Sequence, residues 1–407
     1  MNNKRFLAAV LGLIFAGLLM GCGEVNDTGT GPDQASKLEP RAISSSPFLP
    51  HVITWASVSA GDNHTCGIDG DNAYLWCWGD NLYGQLGNGG TADKKTPAWV
   101  VSSTWLRVAP GGRYTCGIKS ANTLWCWGFN GSGQLGDGTT GDKLTPSQDK
   151  TGDSDWASLD SGYEHSCALK TDQSLWCWGG GDYGQLGNGT TAGINSAPQQ
   201  VGTKAWKSFT AGAYHTCAVR TDGTLWCWGS NINGQLGIGS HQLRKVPAKV
   251  GADANWSSVG GGWYHTCAIK KDKSLWCWGL NQFGELGNGT TKSTTKPVRI
   301  GTDNSWKTVA LGTYHSCGLK KNTGLYCWGH NDSGQLDNSD YIDRHKPKLV
   351  GDAGTGYVSF AAGSAHTCGV WNNAGTHEIW CWGNNDHGQL GNGNTVTVNA
   401  PVQVINP

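Results

Sequence analysis

The chain has 407 residues, with 30 Lys plus Arg balanced by 30 Asp plus Glu, so it lacks the basic surface on which nucleic-acid binding depends. Its 63 Gly and 22 Trp beside 2 Met exclude an ordinary helical protein and indicate an all-β chain rich in turns. No segment beyond residue 50 carries the apolar period of an amphipathic helix.

In chain order, Lys4 and Arg5 precede an apolar run from Phe6 to Met20, the charged and apolar parts of an export signal over residues 1–21. The run is shorter than the roughly 20 residues that a membrane-spanning helix needs. Leu19-Met20-Gly21-Cys22 resembles a bacterial lipobox, which implies cleavage before Cys22 and lipidation of that cysteine. Gly23 is not the aspartate of an inner-membrane retention signal, so an outer-membrane anchor in the cell envelope is expected, facing the periplasm or the cell surface. Residues 22–50 are polar, rich in Gly, Ser and Pro and without period, and read as a tether of about 30 Å.

From residue 51 to 407 the chain repeats itself. Cys-Trp-Gly closes a phrase seven times, at Cys77, Cys126, Cys177, Cys227, Cys277, Cys327 and Cys381, with spacings of 49, 51, 50, 50, 50 and 54 residues. A period of this length marks a repeat architecture. Each copy runs from a Gly-x-x-His-(Thr/Ser)-Cys phrase through a polar turn, Leu-Trp-Cys-Trp-Gly and Gly-Gln-Leu-Gly to a Pro-led stretch. That is four short strands per repeat, or one blade of a seven-bladed β-propeller with four-stranded antiparallel blades. Six Pro-led strands run straight into the next Trp or Tyr strand, whereas the seventh, from Pro401 to Val404, has nothing after it. Pairing it with the strand from Trp55 to Val58 is expected to close the ring and remove two exposed sheet edges. The sixth copy, Gly334-Gln335-Leu336-Asp337-Asn338-Ser339, lacks two glycines of the pattern, so a different loop is expected there.

Setting Cys22 aside, the cysteines fall two to a repeat: Cys66 with Cys77, Cys116 with Cys126, Cys167 with Cys177, Cys217 with Cys227, Cys267 with Cys277, Cys317 with Cys327, and Cys368 with Cys381. In the fourth copy the turn Thr221-Asp222-Gly223, with Gly at the left-handed position, opposes Arg220 to Thr224 and therefore Cys217 to Cys227. Directly opposed residues in an antiparallel pair lie within disulfide reach. Seven cross-strand disulfides are expected, and such a chain belongs outside the reducing cytosol.

Zinc is the competing use of the same residues, with His215, Cys217 and Cys227 forming a partial ligand set. There is no Cys-x-x-Cys and no evident fourth ligand, and the second repeat replaces the histidine by Tyr114, so no metal is expected. His64, His165, His215, His265, His315 and His366 are read as structural residues bonding the backbone. Alternation along the strand puts Trp226 and Trp228 on one face and Leu225 and Cys227 on the other. The paired tryptophans are expected to form core against the disulfide face of a neighbouring blade, not a ligand cage.

These phrases resemble the repeat of the regulator of chromosome condensation family over residues 55–404. The resemblance implies a seven-bladed propeller, and its best-known member is an exchange factor for a nuclear GTPase. Fold does not carry function with it, and here no repeat has a long insertion and the chain reads as exported. No nucleophile elbow, phosphate loop or His-Glu-x-x-His motif occurs, so no catalytic residues and no cofactor are expected. A hydrolase or lyase site at the propeller mouth is the alternative, and exchange activity by family analogy ranks below it.

What varies between repeats is the pair of residues between Gly and His. Arg113, Tyr163, Tyr214, Trp263, Tyr264 and Tyr314 stand there, at strand ends where protein interfaces find their anchors. The expectation is a monomeric, lipid-anchored, non-catalytic propeller that binds a protein or glycan, and no nucleic acid, through these residues.

Overall fold

The structure, a computed structural model, describes residues 53–101, 103–337, 339–351 and 356–407. The expected export signal, Cys22 and the tether to residue 50 lie outside the described residues. Among the described residues twenty-eight strands form seven antiparallel sheets of four strands each. The first blade is β1 (Trp55–Ala60), β2 (His64–Asp69), β3 (Leu75–Gly79) and β4 (Lys94–Trp99), hydrogen-bonded in that order. The other blades repeat it. Their first strands, which with β1 surround a central channel, are Trp105–Pro110, Trp156–Ser161, Trp206–Ala211, Trp256–Gly261, Trp306–Leu311 and Tyr357–Ala362. Antiparallel order places the β1–β2 turn and the β3–β4 loop at one end of every blade, here termed the mouth.

Within the first blade β2 and β3 pair His64 with Gly79, Cys66 with Cys77 and Ile68 with Leu75. The same register recurs in every blade, and a disulfide joins each opposed cysteine pair. Gly223 takes the left-handed turn position at φ +86°, but Ala73, Asn122, Gln173, Lys273 and Thr323 occupy the same slot in other blades at φ 57–70°. Register is therefore imposed by strand pairing and the cysteines even where the turn residue is unfavourable.

Each disulfide face packs on the tryptophan face of the next blade. Cys66, Ile68, Leu75 and Cys77 of blade 1 meet Trp105, Val108 and Trp127 of blade 2 in one cluster, and six analogous clusters follow round the ring. The paired-tryptophan expectation needs one correction. The second member is fully buried, as at Trp78, Trp127, Trp178 and Trp228, but the first, as at Trp76, Trp125, Trp176 and Trp226, is only half-buried. Its place in the core is taken by the tryptophan that opens the inner strand, such as Trp55, Trp105 and Trp156. In the described part of blades 2 to 6 the half-buried ring and the inner-strand ring instead sandwich a cation, as where Arg220 lies 3.8 Å from the Trp226 centroid and 5.1 Å from that of Trp206.

Ring closure also differs from the expectation. The terminal strand Val398–Gln403 pairs with Thr376–Gly383 of its own blade, and β1 pairs with β2, so no blade is shared between the two ends of the chain. Every blade is one contiguous repeat, and the first and last described strands belong to different, adjacent blades. Closure is by face packing, with Trp55, Val58 and Trp78 of blade 1 against Cys368, Val370, Ile379 and Val404 of blade 7. Hydrogen bonds reinforce it, Trp78 Nε1 donating to the Gln389 carbonyl at 2.9 Å and the Gly393 amide to the Lys95 carbonyl at 2.9 Å.

At its described residues the loop of the sixth repeat keeps the backbone of its neighbours despite the lost glycines. Asp337 and Ser339 take left-handed φ of 50° and 60°, where Gly287 and Gly289 of the fifth repeat have 75° and 84°. Packing of Leu336 into the inter-blade core holds a backbone that glycine would adopt at lower cost.

Candidate functional site

The seven histidine positions form a closed belt beneath the mouth. His64 Nε2 lies 2.8 Å from Thr115 Oγ1 of the next blade, and Thr115 donates to the Gln85 carbonyl at 2.7 Å. The hydroxyl's one proton goes to that carbonyl, so it accepts from the imidazole, which fixes Nε2 as the protonated nitrogen. The same arrangement links His165 to Thr216, His215 to Thr266, His265 to Ser316, His315 to Thr367 and His366 to Thr65. In blade 2 Tyr114 reaches the same neighbour, its hydroxyl donating to the His165 carbonyl at 2.5 Å. The histidines were expected to bond backbone; they bond side chains of the adjacent blade because the wedge geometry brings the next blade's Thr or Ser closest. Burial holds their pKa down to about 3 to 4, so they are neutral. Zinc has no ligand set here, since Cys217 and Cys227 are joined by a disulfide and His215 is engaged by Thr266.

Above the belt the inner strands turn through Gly61, Gly111, Gly162, Gly212, Gly262, Gly312 and Gly363, which line the mouth. A Cβ on Gly162 would lie 2.4 Å from the Gly212 carbonyl oxygen, and one on Gly312 would lie 2.3 Å from that of Gly363. Backbone packs on backbone, and amides such as Asp62 N to Gly111 O at 3.3 Å and Ala213 N to Gly262 O at 3.2 Å cross between blades. Below this collar the channel encloses a cavity of about 370 Å³. Its one charged lining group is Asp160, which accepts hydrogen bonds from Thr210 Oγ1 and the Ala211 amide at 2.9 Å each. Burial pushes its carboxyl up to about 6.

The collar carries the variable residues outward. Tyr163, Tyr214 and Trp263 pack on one another, with ring centroids 5.6 Å (Tyr163–Tyr214), 5.0 Å (Tyr163–Trp263) and 6.4 Å (Tyr214–Trp263) apart. Trp263 meets Tyr264 at 5.8 Å, and Tyr264 stacks on Tyr314 at 5.8 Å and 30°. Five of the six residues singled out from sequence thus join in one arc over blades 3 to 6. Arg113 stands apart, over the Tyr83 ring at 5.4 Å on the blade 1 to 2 side.

Sequence reasoning missed the arc's outer members. Tyr183 meets Tyr214 at 5.1 Å, and Phe283 meets Tyr314 at 5.5 Å and His330 at 4.0 Å. The signal was present, since Tyr83, Tyr183 and Phe283 all hold the slot before the Gly-Gln or Gly-Glu step, but which turn that slot leans on is set by the neighbouring blade. Asp62 was missed as well. Enclosure at the mouth pushes its carboxyl up to about 7, against the lowering effects of the Trp263 indole and of Arg113. Burial, with Glu164 second, raises the Tyr214 phenol, which stays un-ionised.

At the junction of blades 7 and 1, Asp80, Asp93 and His387 bring three donor atoms within 4.8 Å. Asp93 is already committed, its carboxylate accepting from the Asn81 amide at 2.9 Å and lying 3.0 Å from His387 Nδ1.

Residues 16–275 and 106–406 match the RCC1-like domain. The human E3 ubiquitin-protein ligase HERC2 is 28% identical over 182 residues, which is 42% of this chain but 4% of that protein, so the chain spans a small part of that relative. Among solved structures, human WBSCR16 superposes with a TM-score of 0.72 at 19% identity, covering 82% of this chain and 94% of the other. Prp20p of Saccharomyces cerevisiae gives 0.70 at 22% identity, covering 88% of each chain. These likenesses carry the fold, and the match to the domain covers the whole ring: the chain belongs to the RCC1-like domain family.

Proposed function

We propose that this propeller is a lipid-anchored, exported binding protein of the bacterial cell envelope, acting without catalysis and holding a protein partner against its mouth face. The observation that carries the reading is the aromatic arc. Rings on four successive blades touch in a continuous series, and Tyr183 remains 46% exposed. Contiguous aromatic surface on a rigid frame is the composition of an interface anchor. Prp20p, of the same fold, binds Gsp1p and histones, which supports a protein partner over a glycan. Seven disulfides favour an oxidising compartment, and the lipobox-like Leu19-Met20-Gly21-Cys22 favours an anchor at Cys22 on the outer membrane.

A photo-crosslinking residue at Tyr183 of the full-length chain, expressed in its envelope, should give protease-sensitive adducts that the same residue at Lys249, at the far end of the outer strand Arg244–Lys249, does not. Equal adducts from both positions would sink the mouth-face reading, and adducts resistant to protease but removed by glycosidases would select a glycan. Acyl labelling that persists in a Cys22→Ala variant would remove the anchor.

A further inference from the structure

Resting on the mouth face as the binding surface, we propose that the arc receives a segment of the partner protein that carries Arg or Lys side chains. The chain as a whole is neutral, yet its charges are unevenly placed. Asp62 and Glu164 lie on the turns, Asp182 is exposed next to Tyr183 in the chain, and the exposed Asp332 lies 3.3 Å from His330 Nδ1. No Lys or Arg occurs in the turn residues 163–164, 213–214, 263–264 and 313–314, nor in the loop stretches 180–190, 230–240, 280–290 and 330–340. Cations near these stretches are Lys292, later in the blade 5 loop, and Arg244, Lys245 and Arg344 at the start of the outer strands Arg244–Lys249 and Arg344–Leu349, where Arg344 is paired with Asp340. Arg113, the one cation among the turn residues, sits on blade 2 beyond the end of the arc.

Aromatic faces attract cations through their quadrupole, and guanidinium groups stack on them as well as pair with carboxylates. Tyr163, Tyr214 and Trp263 fill the space among themselves, so a cation lies on the outward ring faces and not in a cage. Glu164, next to Tyr163 in the chain, and the exposed Asp182, next to Tyr183, oppose an acidic partner. The molecule already uses this chemistry at its opposite end, where Lys270 lies 4.0 Å from the Trp276 centroid and Lys119 lies 3.6 Å from that of Trp125.

The test uses purified full-length protein in detergent and two labelled peptides of equal length, one alternating Arg with Gly and one alternating Glu with Gly, followed by fluorescence anisotropy. The Arg-Gly peptide should bind at least about tenfold more tightly than the Glu-Gly peptide. Trp263→Ala, and separately the charge-removing pair Glu164→Gln with Asp182→Asn, should each weaken it about fivefold, while Lys249→Ala at the far end of the outer strand, opposite Trp226, leaves it unchanged. The polar pair preserves side-chain volume, so its result stands even if Trp263→Ala perturbs folding. Equal binding of the two peptides, or Arg-Gly binding indifferent to both mouth variants, overturns the proposal. If Tyr183 crosslinks still form in that event, the mouth remains the interface and only the cationic partner falls; if they do not, both fall.

Discussion

Blade 5 turns through Gly262-Trp263-Tyr264-His265 and blade 7 through Gly363-Ser364-Ala365-His366, and the two turns share one backbone. Gly262 N donates to His265 O at 2.9 Å, and Gly363 N to His366 O at 2.9 Å. The difference is confined to two side chains that leave the collar outward. Beneath them the belt and core tolerate little variation, because each residue there has a partner on the next blade and a change at one position is felt at two. The mouth has no such constraint, and its residues diverge blade by blade. Blades 3 to 6 gathered aromatic rings; blades 7 and 1 kept Ser364, Ala365, Asp62 and Asn63.

If the belt is a single load shared by all blades, acid should break it first. Burial depresses the six histidines to about 3 to 4 from 6.5, so the unfolded chain binds more protons than the folded one across that interval. Stability is fully present above about pH 6.5 and is lost as pH falls toward the folded pKa values. Each group contributes on the order of 3 to 5 kcal/mol at the limit, and six together exceed the stability of an ordinary domain. Cooperative loss of tryptophan fluorescence signal is expected between about pH 5 and 4. An unchanged melting temperature from pH 7 to 4 would show that the imidazoles are not held neutral.

Glu285 is the one belt position where a repeat departs from Gln, and it sharpens the point. Its carbonyl serves Ser316 and Trp328 like the others, but its side chain is fully buried, with Oε2 accepting from the Phe283 amide. Burial raises the carboxyl from 4.5 to about 7. An acid with a raised folded pKa stabilises fully below the unfolded value, and that contribution is lost as pH rises through about 7. Glu285→Gln should therefore gain about 2 to 3 kcal/mol above pH 8 and almost nothing at pH 4.5. A gain independent of pH in denaturant melts would count against a buried ionisable group.

Smaller effects separate the hairpins from the mouth. Gln173 holds a left-handed turn at φ +70° where blade 4 has Gly223. Gln173→Gly should add roughly 0.5 to 1 kcal/mol. A destabilised variant would mean that the Gln173 side chain holds the turn. Smallest of all, Tyr183→Ala at the exposed edge of the arc should shift the unfolding midpoint by no more than about 0.5 kcal/mol while abolishing partner binding. A large loss of stability there would make the arc a structural lid.

The blade count, the strand order within a blade and the opposition of each cysteine pair were legible in the linear sequence. They depend on short-range rules: a fixed period, alternation of faces, and a hairpin whose length sets register. The assignment of Tyr163, Tyr214, Trp263, Tyr264 and Tyr314 to one face was legible for the same reason, since all sit between the same Gly and His. That Arg113 falls outside their group was not, because neighbourhood around a ring depends on which blade follows which and on how far each loop leans.

Sequence alone determined that this chain repeats seven times and presents both faces of each sheet as apolar, which leaves a closed ring of blades as the way to bury them. Tertiary structure decided how the ring closes, which tryptophan of each pair is core, and where the histidine bonds. Closure by packing instead of strand exchange follows from each repeat supplying its own four strands. The histidine bonds across to a hydroxyl, and Phe283 lies against Tyr314, because adjacent blades converge toward the axis; these contacts join residues about fifty or thirty positions apart. No local pattern encodes that convergence, which arises only when all seven wedges are in place.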